Sequence, residues 1–498
     1  MIEKTLLIAE DAGHPKDVDD IANDIVETVK FERKLAKIMV SEDERRNYTK
    51  LYNVHKLSEL KKIIPLIDWD RYFHTLVPED VYPYIDADPD IIINEVEFLY
   101  KLNDLLNTTE KRILTNYIIW RYTAGWSFQL DERYDDIQQD FLRGLIGKQT
   151  KSPRWKDCSS ATSSRMIYAA GAIYVRKHFN KASKEAALDM ISDLHEAFRG
   201  LVRESDWMDN KTKQIAIEKS NAMQSLIGYP DFIYNDTELD DFYRDLHINK
   251  NDSYATMVRK VSRWAQKRSF RRLLVPVDRT EFGIASSTVN AFYSSLKNGI
   301  TFPAAVLQAP LFDSGFPKAV NYGGIGSVIG HEITHGFDDQ GSQFDKIGDL
   351  SNWWDNETQT NFINRTQCII EQYSSYEVPG TGLKINGKLT QGENIADNGG
   401  VKEAYRAYKR HRQKNNHDDK RLPGFEQYTS DQIFFMSYAQ TWCGKSKIEA
   451  AVRQILTDPH APMRFRVNGV VVNQPEFAKA FNCPLGSPMN PRKKCVVW

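Results

Sequence analysis

Hydrophobic residues in the first half of the chain recur with the period of an α-helix. Ile21, Ile25 and Val29 stand four residues apart after Asp17, a residue type that often caps the amino end of a helix. This spacing predicts an amphipathic helix that begins after Asp17. The same periodicity predicts further helices over residues 96–106, 187–202 and 211–227, the last of which stops at Gly228-Tyr229-Pro230.

The second half of the chain has a different pattern, with more turns and some strands. Residues 1–250 hold only 7 of the 27 glycines, so most of the turn-forming glycine lies after them. Val289–Tyr293 has the composition of a strand, and Lys297-Asn298-Gly299 is a turn before a second short strand, Ile300–Phe302. This pattern predicts a β-hairpin.

A chain of 498 residues is long enough to bury a large core and to form two domains. We therefore expect a mainly α protein with a smaller β component, built from two lobes. The predicted lobes are residues 1–250 and residues 251–498, and residues 251–285 form a helical connection at the start of the second.

The charge balance argues against nucleic acid as a partner. The chain has 66 basic and 67 acidic residues, a net charge of -1, which creates no general attraction to polyanions. A basic stretch, residues 259–272, includes Trp264 and Phe270 and could suggest nucleic-acid binding, but a solvated helix face explains it better. No run of about 18 apolar residues is present, and Met1-Ile2-Glu3-Lys4 lacks the apolar segment of a signal peptide.

The segment Gly330–Gly336 contains a motif with metal-binding spacing. His331 and His335 are four residues apart, so on a helix both imidazoles point to one side, and Glu332 lies beside that point. Two histidines and a neighbouring glutamate in this pattern suit a zinc site with a general base. The alternative is a pair of partly exposed helical histidines without a metal.

A catalytic zinc usually takes a third protein ligand and leaves the fourth position open. Glu393 is the best candidate, because Asp397 follows it four residues later on the same helical face. Asp397 can then accept the second ring N–H of one histidine, and Asp338 can do the same for the other. For each carboxylate alone, a solvated helical acid is the alternative.

Several segments together resemble a known family. They are Val289–Tyr293, Asn321–Gly326, the His331 and Glu393 motifs, Thr457-Asp458-Pro459-His460 and the terminal Cys495-Val496-Val497-Trp498. Their order is that of the neprilysin and endothelin-converting-enzyme family of zinc endopeptidases. The resemblance implies a thermolysin-like catalytic lobe with one zinc ion, a helical lobe that covers its cleft, and oligopeptide substrates cleaved before a hydrophobic residue.

The resemblance also implies roles for individual residues. Glu332 is expected to take the proton of the attacking water, and His460 to face the negative charge of the tetrahedral intermediate with help from Asp458. Taken alone, His460 is more often a loop residue.

Asn290 and Ala291 are expected to hold the substrate backbone; without the family, an ordinary core hairpin is equally supported. Further family positions are Arg466, which contacts substrate or supports the site, and the pocket residues Val306, Leu311, Val328 and Trp442, of which Leu311 stands where an aromatic residue is expected.

Five cysteines cannot all form pairs within the chain. The resemblance implies a disulfide between Cys368 and Cys495, whereas Cys158, Cys443 and Cys483 match positions whose family partners lie upstream. We therefore expect the printed sequence to lack an amino-terminal part that carries a cytoplasmic tail, a membrane anchor and the start of the ectodomain. Seven Asn-x-Ser/Thr sequences favour the outer face of the cell membrane or secretion: Asn47, Asn107, Asn210, Asn235, Asn251, Asn356 and Asn364.

Two other functions compete with that of a zinc endopeptidase. A truncated chain could keep the fold and act as a non-catalytic peptide-binding or interaction protein, although the intact Glu332, His460 and ligand residues argue against this. An unrelated cytosolic zinc oligopeptidase is disfavoured by the Asn-x-Ser/Thr sequences and by the cysteine near the carboxyl end. The sequence leaves the oligomeric state open.

Overall fold

The computed structural model describes residues 1–415 and 421–498. Helices make up 61% of it and strands are few, which confirms the predicted mainly α class. The helices are α1 (Ile2–Asp11), α2 (Val18–Ile38), α3 (Tyr48–Leu51), α4 (Leu60–Ile63), α5 (Trp69–Leu76), α6 (Tyr82–Asp86), α7 (Val96–Thr108), α8 (Lys111–Trp126), α9 (Glu132–Ile146), α10 (Arg154–Arg165), α11 (Ile167–His178), α12 (Lys181–Glu204), α13 (Asn210–Asn221), α14 (Asp236–Phe242), α15 (Tyr254–Arg271), α16 (Lys318–Asn321), α17 (Ser327–His335), α18 (Asn356–Ser374), α19 (Gln391–Asn415), α20 (Ser430–Thr441), α21 (Ile448–Thr457), α22 (Met463–Val471) and α23 (Pro475–Ala480).

Three small sheets accompany these helices in the described residues. The strands are β1 (Asn53–Lys56), β2 (Asp90–Ile93), β3 (Gln224–Gly228), β4 (Phe292–Ser294), β5 (Gly299–Pro303), β6 (Glu377–Val378) and β7 (Leu383–Lys384). β1 pairs with β2 and β6 with β7, both antiparallel. In the third sheet β5 is central, with β3 parallel on one side and β4 antiparallel on the other.

The chain divides into two compact units. The first consists of Met1–Ser152 and Tyr243–Val277, and the second of Pro153–Phe242 and Asp278–Trp498. The division into lobes at residue 250 stays a prediction. α12 lies in the second unit and packs with the carboxyl-terminal half of the chain. Leu194 and Phe198 of α12 are fully buried in the same hydrophobic core as α17 and α19. That core contains the candidate site.

Local sequence signals explain where several of the helices begin. Asp17 caps α2 by accepting a hydrogen bond from the main-chain N–H of Asp20, as the sequence predicts, and the buried face of the helix includes Ile25 and Phe31. The helices predicted over residues 96–106 and 187–202 lie within α7 and α12.

The helix predicted over residues 211–227 is wrong in its last part. α13 ends at Asn221, and Gln224–Gly228 forms β3. These residues pair with β5 from Gln224 opposite Gly299 to Gly228 opposite Pro303. A strand partner distant in the sequence therefore overrides the local helical periodicity.

The predicted β-hairpin is present, but its first strand starts later than expected. β4 begins at Phe292 rather than at Val289 and pairs with β5, with Phe292 opposite Thr301. Asn290 and Ala291 thus directly precede the strand.

The basic stretch of residues 259–272 lies on α15 and the turn after it. Lys260 forms an ion pair with Asp252, and Arg271 forms ion pairs with Asp80 and Asp245. Within the described residues, no helix combines the length and apolarity that a membrane span needs.

Candidate active site

α17 carries the two histidines of the sequence motif. Ile329 and Ile333 on this helix are fully buried in the core, so their packing sets which way the opposite face points. His331 and His335 lie on that face, with ring centroids 4.4 Å apart and ring planes at 88°. The four-residue spacing thus brings both imidazoles to one place.

α19 approaches α17 closely because glycines lie at the contact. A Cβ atom on Gly400 would lie 2.4 Å from the main-chain nitrogen of His331, and one on Gly330 would lie 2.6 Å from the carbonyl oxygen of Gly400. Any side chain at either position would force the helices apart. This contact brings Glu393 of α19 to the two histidines of α17.

Both imidazoles of the site converge on one carboxylate oxygen of Glu393. Its Oε2 atom lies 3.2 Å from Nε2 of His331 and 3.4 Å from Nε2 of His335. Among the described residues this oxygen is buried and has no hydrogen bond of good geometry, although the imidazole nitrogens of both histidines lie close to it. Burial disfavours the charged form of Glu393, but the charge of His335 and the contacts of both histidines hold its pKa well below its usual range.

The donor set fits a metal ion. Ligand atoms of His331, His335 and Glu393 all lie within 4.8 Å of one another. Two imidazole nitrogens and one carboxylate oxygen, with no fourth protein ligand in this group, match the donors that a catalytic zinc takes. The buried, unsatisfied Glu393 oxygen is the atom that such an ion would satisfy.

Two further carboxylates set the orientation of the histidines. Nδ1 of His331 donates to Oδ1 of Asp397 at 2.8 Å, and Nδ1 of His335 donates to Oδ2 of Asp338 at 2.7 Å. Because a carboxylate only accepts, each Nδ1 carries a proton, and Nε2 is the ring atom of each histidine that is left to bind an ion. These are the partners that the sequence predicts for Asp397 and Asp338.

Asp397 is in turn held by Arg466 of α22. The guanidinium donates from Nε to Oδ2 and from Nη2 to Oδ1, both at 2.8 Å. The Cζ atom of the same guanidinium lies 3.7 Å from the centroid of the Trp442 ring. Burial disfavours the charge of Asp397, yet the Arg466 charge and hydrogen bonds keep its pKa below the ordinary value.

Glu332 and His460 are the two residues that are predicted to take part in the chemistry. Glu332 is buried, and burial raises its pKa although the charges of His331 and His335 oppose the shift. Nε2 of His460 lies 3.2 Å from Oε2 of Glu393. Asp458 accepts hydrogen bonds from both Nδ1 and the main-chain N–H of His460, each at 2.8 Å, and so fixes the ring.

Comparison with known proteins assigns the family. Models of peptidase family M13 match residues 1–230 and 290–497, which together are most of the chain. This chain belongs to peptidase family M13. The finding confirms the resemblance to neprilysin and endothelin-converting enzymes noted from the motifs.

Individual M13 relatives align along nearly the whole chain. Neprilysin-1 of Caenorhabditis elegans is 51% identical over 497 residues, which are 100% of this chain and 66% of the relative. The endothelin-converting enzyme homolog of Locusta migratoria is 42% identical and covers 94% of this chain, which spans 64% of it. The chain therefore spans slightly less than two thirds of these curated relatives.

Solved structures of the M13 fold agree with this assignment. The zinc metalloprotease Zmp1 of Mycobacterium tuberculosis, solved in complex with an inhibitor, superimposes with a TM-score of 0.85 at 32% identity. The alignment covers 97% of this chain and 72% of Zmp1. PepO of Lactobacillus rhamnosis gives a TM-score of 0.84 at 26% identity, over 99% of this chain and 73% of PepO.

The residues predicted to bind substrate in this M13 chain all lie in the second unit. Asn290 is exposed and Ala291 is buried, and both directly precede β4, which packs beside α17. The four predicted pocket residues all belong to or pack against the core of the second unit. Val306 is buried, whereas Leu311, Val328 and Trp442 are partly buried.

The M13 chain also contains the predicted disulfide between Cys368 and Cys495, which joins α18 to the carboxyl-terminal segment. Cys158, Cys443 and Cys483 are unpaired within the described residues. That their disulfide partners lie upstream stays a prediction.

Sequence reasoning missed two groups that support the site. The hydroxyl oxygen of Thr334, the residue before His335, lies 2.7 Å from Oε1 of the fully buried Glu403. The signal was available, because Glu403 follows Gly399 and Gly400 by four and three residues and so shares their helix face. Lys219 of α13, also fully buried, contacts the segment after α17, and no local motif marks it.

Proposed function

We propose that this chain is a zinc-dependent endopeptidase that hydrolyses oligopeptides. The observation that carries the proposal is the convergence of His331, His335 and Glu393, each oriented by buried hydrogen bonds or charges, beside a buried Glu332. Membership of peptidase family M13 supports the same reaction. We assign His331, His335 and Glu393 as the ligands of one zinc ion.

The residues around the ion divide the chemistry between them. When bound, zinc supplies the Lewis acidity that polarises a peptide carbonyl and makes water more acidic. The Glu332 carboxylate accepts a proton from the attacking water and returns it to the leaving amine. Its buried position favours this cycle, because burial raises the pKa of Glu332 and makes the carboxyl hold a proton more readily than an exposed glutamate.

His460 is suited to stabilise the negative charge that develops on the substrate oxygen. The hydrogen bond to Asp458 fixes the ring so that Nε2 points towards Glu393 and the metal site. Burial disfavours the charged imidazole, but the contact with Glu393 raises the pKa of His460 above its ordinary value and so favours a proton on Nε2. A donor held in place before the reaction stabilises the transition state without reorganisation. Arg466 acts indirectly in this scheme, since its hydrogen bonds to Asp397 orient His331.

The sheet next to α17 offers a way to hold an extended peptide. β4 is an edge strand of its three-stranded sheet, so its outer main-chain groups can pair with one more strand. We assign Asn290 and Ala291, just before β4, to the substrate backbone. Val306, Leu311, Val328 and Trp442 are assigned to the pocket for the residue after the cleaved bond, which favours cleavage on the amino side of hydrophobic residues.

An extracellular location fits the surface of the molecule. All seven asparagines of the Asn-x-Ser/Thr sequences are exposed, as glycan attachment requires. The Cys368–Cys495 disulfide is typical of an oxidising compartment. A mobility shift of the secreted protein after enzymatic removal of N-linked glycans tests this placement.

Metal analysis and peptide cleavage on matched variants test the proposed reaction. Wild type should contain one zinc and cleave oligopeptides before hydrophobic residues, as mapped by mass spectrometry. Glu332→Gln should keep the zinc and lose turnover, whereas Glu393→Ala should lose zinc itself, and the exposed Glu371→Gln on α18 should change neither. Cleavage by Glu332→Gln at the wild-type rate would refute the assignment. A wild type that binds zinc and peptides without cleaving them would indicate a binding protein instead.

A further inference from the structure

Lys219 is a buried amine that none of the assigned roles uses. It lies on α13 in the second unit, and its side chain is 0% exposed. Its Nζ atom donates to the carbonyl oxygen of Gly341 at 2.7 Å and to that of Phe344 at 2.6 Å. The amine also lies over the Phe337 and Trp353 rings, at 5.4 and 5.7 Å from their centroids. Burying an ammonium group is costly, so these contacts have to compensate for lost water.

The two carbonyls belong to the turn that follows the metal-binding helix. In this turn Asp338 accepts hydrogen bonds from the main-chain N–H groups of Gln340 and Gly341, at 2.8 and 2.6 Å. The other oxygen of Asp338 accepts from Nδ1 of His335 at 2.7 Å. Gly341 is therefore held on both sides, through its N–H by Asp338 and through its C=O by Lys219.

The turn folds too tightly over the end of α17 to tolerate much movement. A Cβ atom on Gly341 would lie 1.9 Å from the carbonyl oxygen of His335 and 2.9 Å from the carbonyl carbon of Gly336. Gly341 thus lies directly against the last turn of the helix that carries His335. A shift of this turn would move the Asp338 carboxylate relative to the imidazole that it orients.

Electrostatic attraction between Lys219 and the carboxylates of the turn adds to these hydrogen bonds. Burial lowers the pKa of Lys219 to about 7, although the negative charges of Asp338 and Asp345 oppose that shift. The amine is therefore attracted towards the carboxylate that serves His335. Removal of the amine would leave two main-chain carbonyls without this donor and would remove its electrostatic interaction with Asp338.

We propose that Lys219 is a positioning residue for the metal ligand His335 and acts through Gly341 and Asp338. This inference rests on the proposed zinc site and adds a residue from α13 to its support. The competing explanation is a core lysine that stabilises the fold without any effect on the metal.

A double-mutant cycle on metal affinity separates these explanations. The full chain would be prepared as wild type, Lys219→Met, Asp338→Asn and the double variant. The matched control is Lys211→Met, an exposed lysine on the same helix. The apparent zinc affinity is measured by competition with a chelator, and the absorption bands of the cobalt-substituted proteins report the geometry of the ligands. Thermal unfolding of the metal-free proteins measures the stability separately.

We expect Lys219→Met and Asp338→Asn each to weaken zinc binding by about 10- to 100-fold, the usual effect of losing a group that orients a ligand. The double variant should bind zinc hardly more weakly than Asp338→Asn, because both changes break one chain of contacts. The cobalt bands should shift in both single variants, and Lys211→Met should match wild type.

Wild-type zinc affinity and cobalt bands in Lys219→Met, even with a lower melting temperature, would overturn the proposal. Losses that multiply in the double variant would also overturn it, because Lys219 would then act independently of Asp338. If Lys219→Met does not fold, Lys219→Leu, which also removes the side-chain donor, takes its place in the same cycle with the same criteria. A wild type that binds zinc but cleaves no peptide would refute the proposed reaction alone, and a wild type without zinc binding would refute both.

Discussion

A single methyl group at residue 400 tests whether the close contact of α17 and α19 holds the proposed metal site together. In Gly400→Ala the new Cβ atom would lie 2.4 Å from the main-chain nitrogen of His331 and 2.7 Å from the carbonyl oxygen of Ser327. Both obstructing atoms belong to the backbone of α17 and cannot rotate away as a side-chain end can. The substitution therefore has to separate the two helices.

The size of this separation follows from ordinary contact distances. Non-bonded heavy atoms rest at about 3.5 Å, so the helices would move apart by about 1 Å. Metal–ligand distances tolerate only about 0.2 Å, and Glu393 lies two turns from residue 400 on α19. We expect the free energy of unfolding to fall by about 1 to 3 kcal/mol or more, as for other overpacked sites, and zinc affinity to fall more than about tenfold.

Denaturant unfolding of the metal-free protein and chelator competition measure the two effects. Gly144→Ala on α9 is the control, because Gly144 is also helical but exposed, with nothing within 4 Å of an added Cβ. It should gain about 0.5 to 1 kcal/mol from the better helix propensity of alanine and keep its zinc affinity. Wild-type stability and zinc affinity in Gly400→Ala would refute the argument that this contact positions Glu393.

Three further predictions concern residues around the centre. His460→Ala should lower kcat by roughly 10²- to 10³-fold with little change in KM, as measured by steady-state kinetics; a higher KM at constant kcat would indicate a binding role instead. Arg466→Ala leaves the buried Asp397 without its cationic partner and should lower the free energy of unfolding by about 3 to 5 kcal/mol in denaturant titrations, and a loss below about 1 kcal/mol would contradict the buried ion pair. Burial raises the pKa of Glu403 well above its ordinary 4.5, so the folded state favours the protonated acid and wild type loses stability as pH rises from the unfolded pKa towards the folded pKa. In Glu403→Gln this loss should be absent, so the free energy of unfolding of the variant relative to wild type should rise by about 1.4 kcal/mol per pH unit in that window. Unfolding measurements between about pH 5 and pH 8 check this, and parallel pH profiles of the two proteins would contradict it.

The helical half of the fold was predictable where apolar spacing and a cap acted together. α2 starts after Asp17 as its cap predicts, and α12 contains the periodic residues 187–202. The prediction failed at Gln224–Gly228, where residues at the end of a helical pattern form β3 instead. Hydrogen bonds to β5 stabilise this strand, and β5 is too far along the chain to be visible in a local pattern.

The site was predictable to the extent that helical geometry relates residues within one turn. His331 and His335 share a face because they are four residues apart, and the same holds for Glu393 and Asp397. The roles of His460 and Arg466 came from family resemblance, since a lone histidine or arginine carries no signal of its own. The contact of Arg466 with Asp397 became visible only in the folded chain.

The sequence by itself determined the helices that carry the site, the residue types of the proposed ligand set and the helix faces on which those residues lie. These depend on the 3.6-residue period of the helix, which relates residues that are close to one another in the sequence. Only the tertiary structure decided that α19 lies against α17 at the Gly330–Gly400 contact, that Glu403 is buried beside Thr334, and that Lys219 reaches the turn after His335. Such contacts join residues far apart in the chain, and they form because burying one common core brings those residues together.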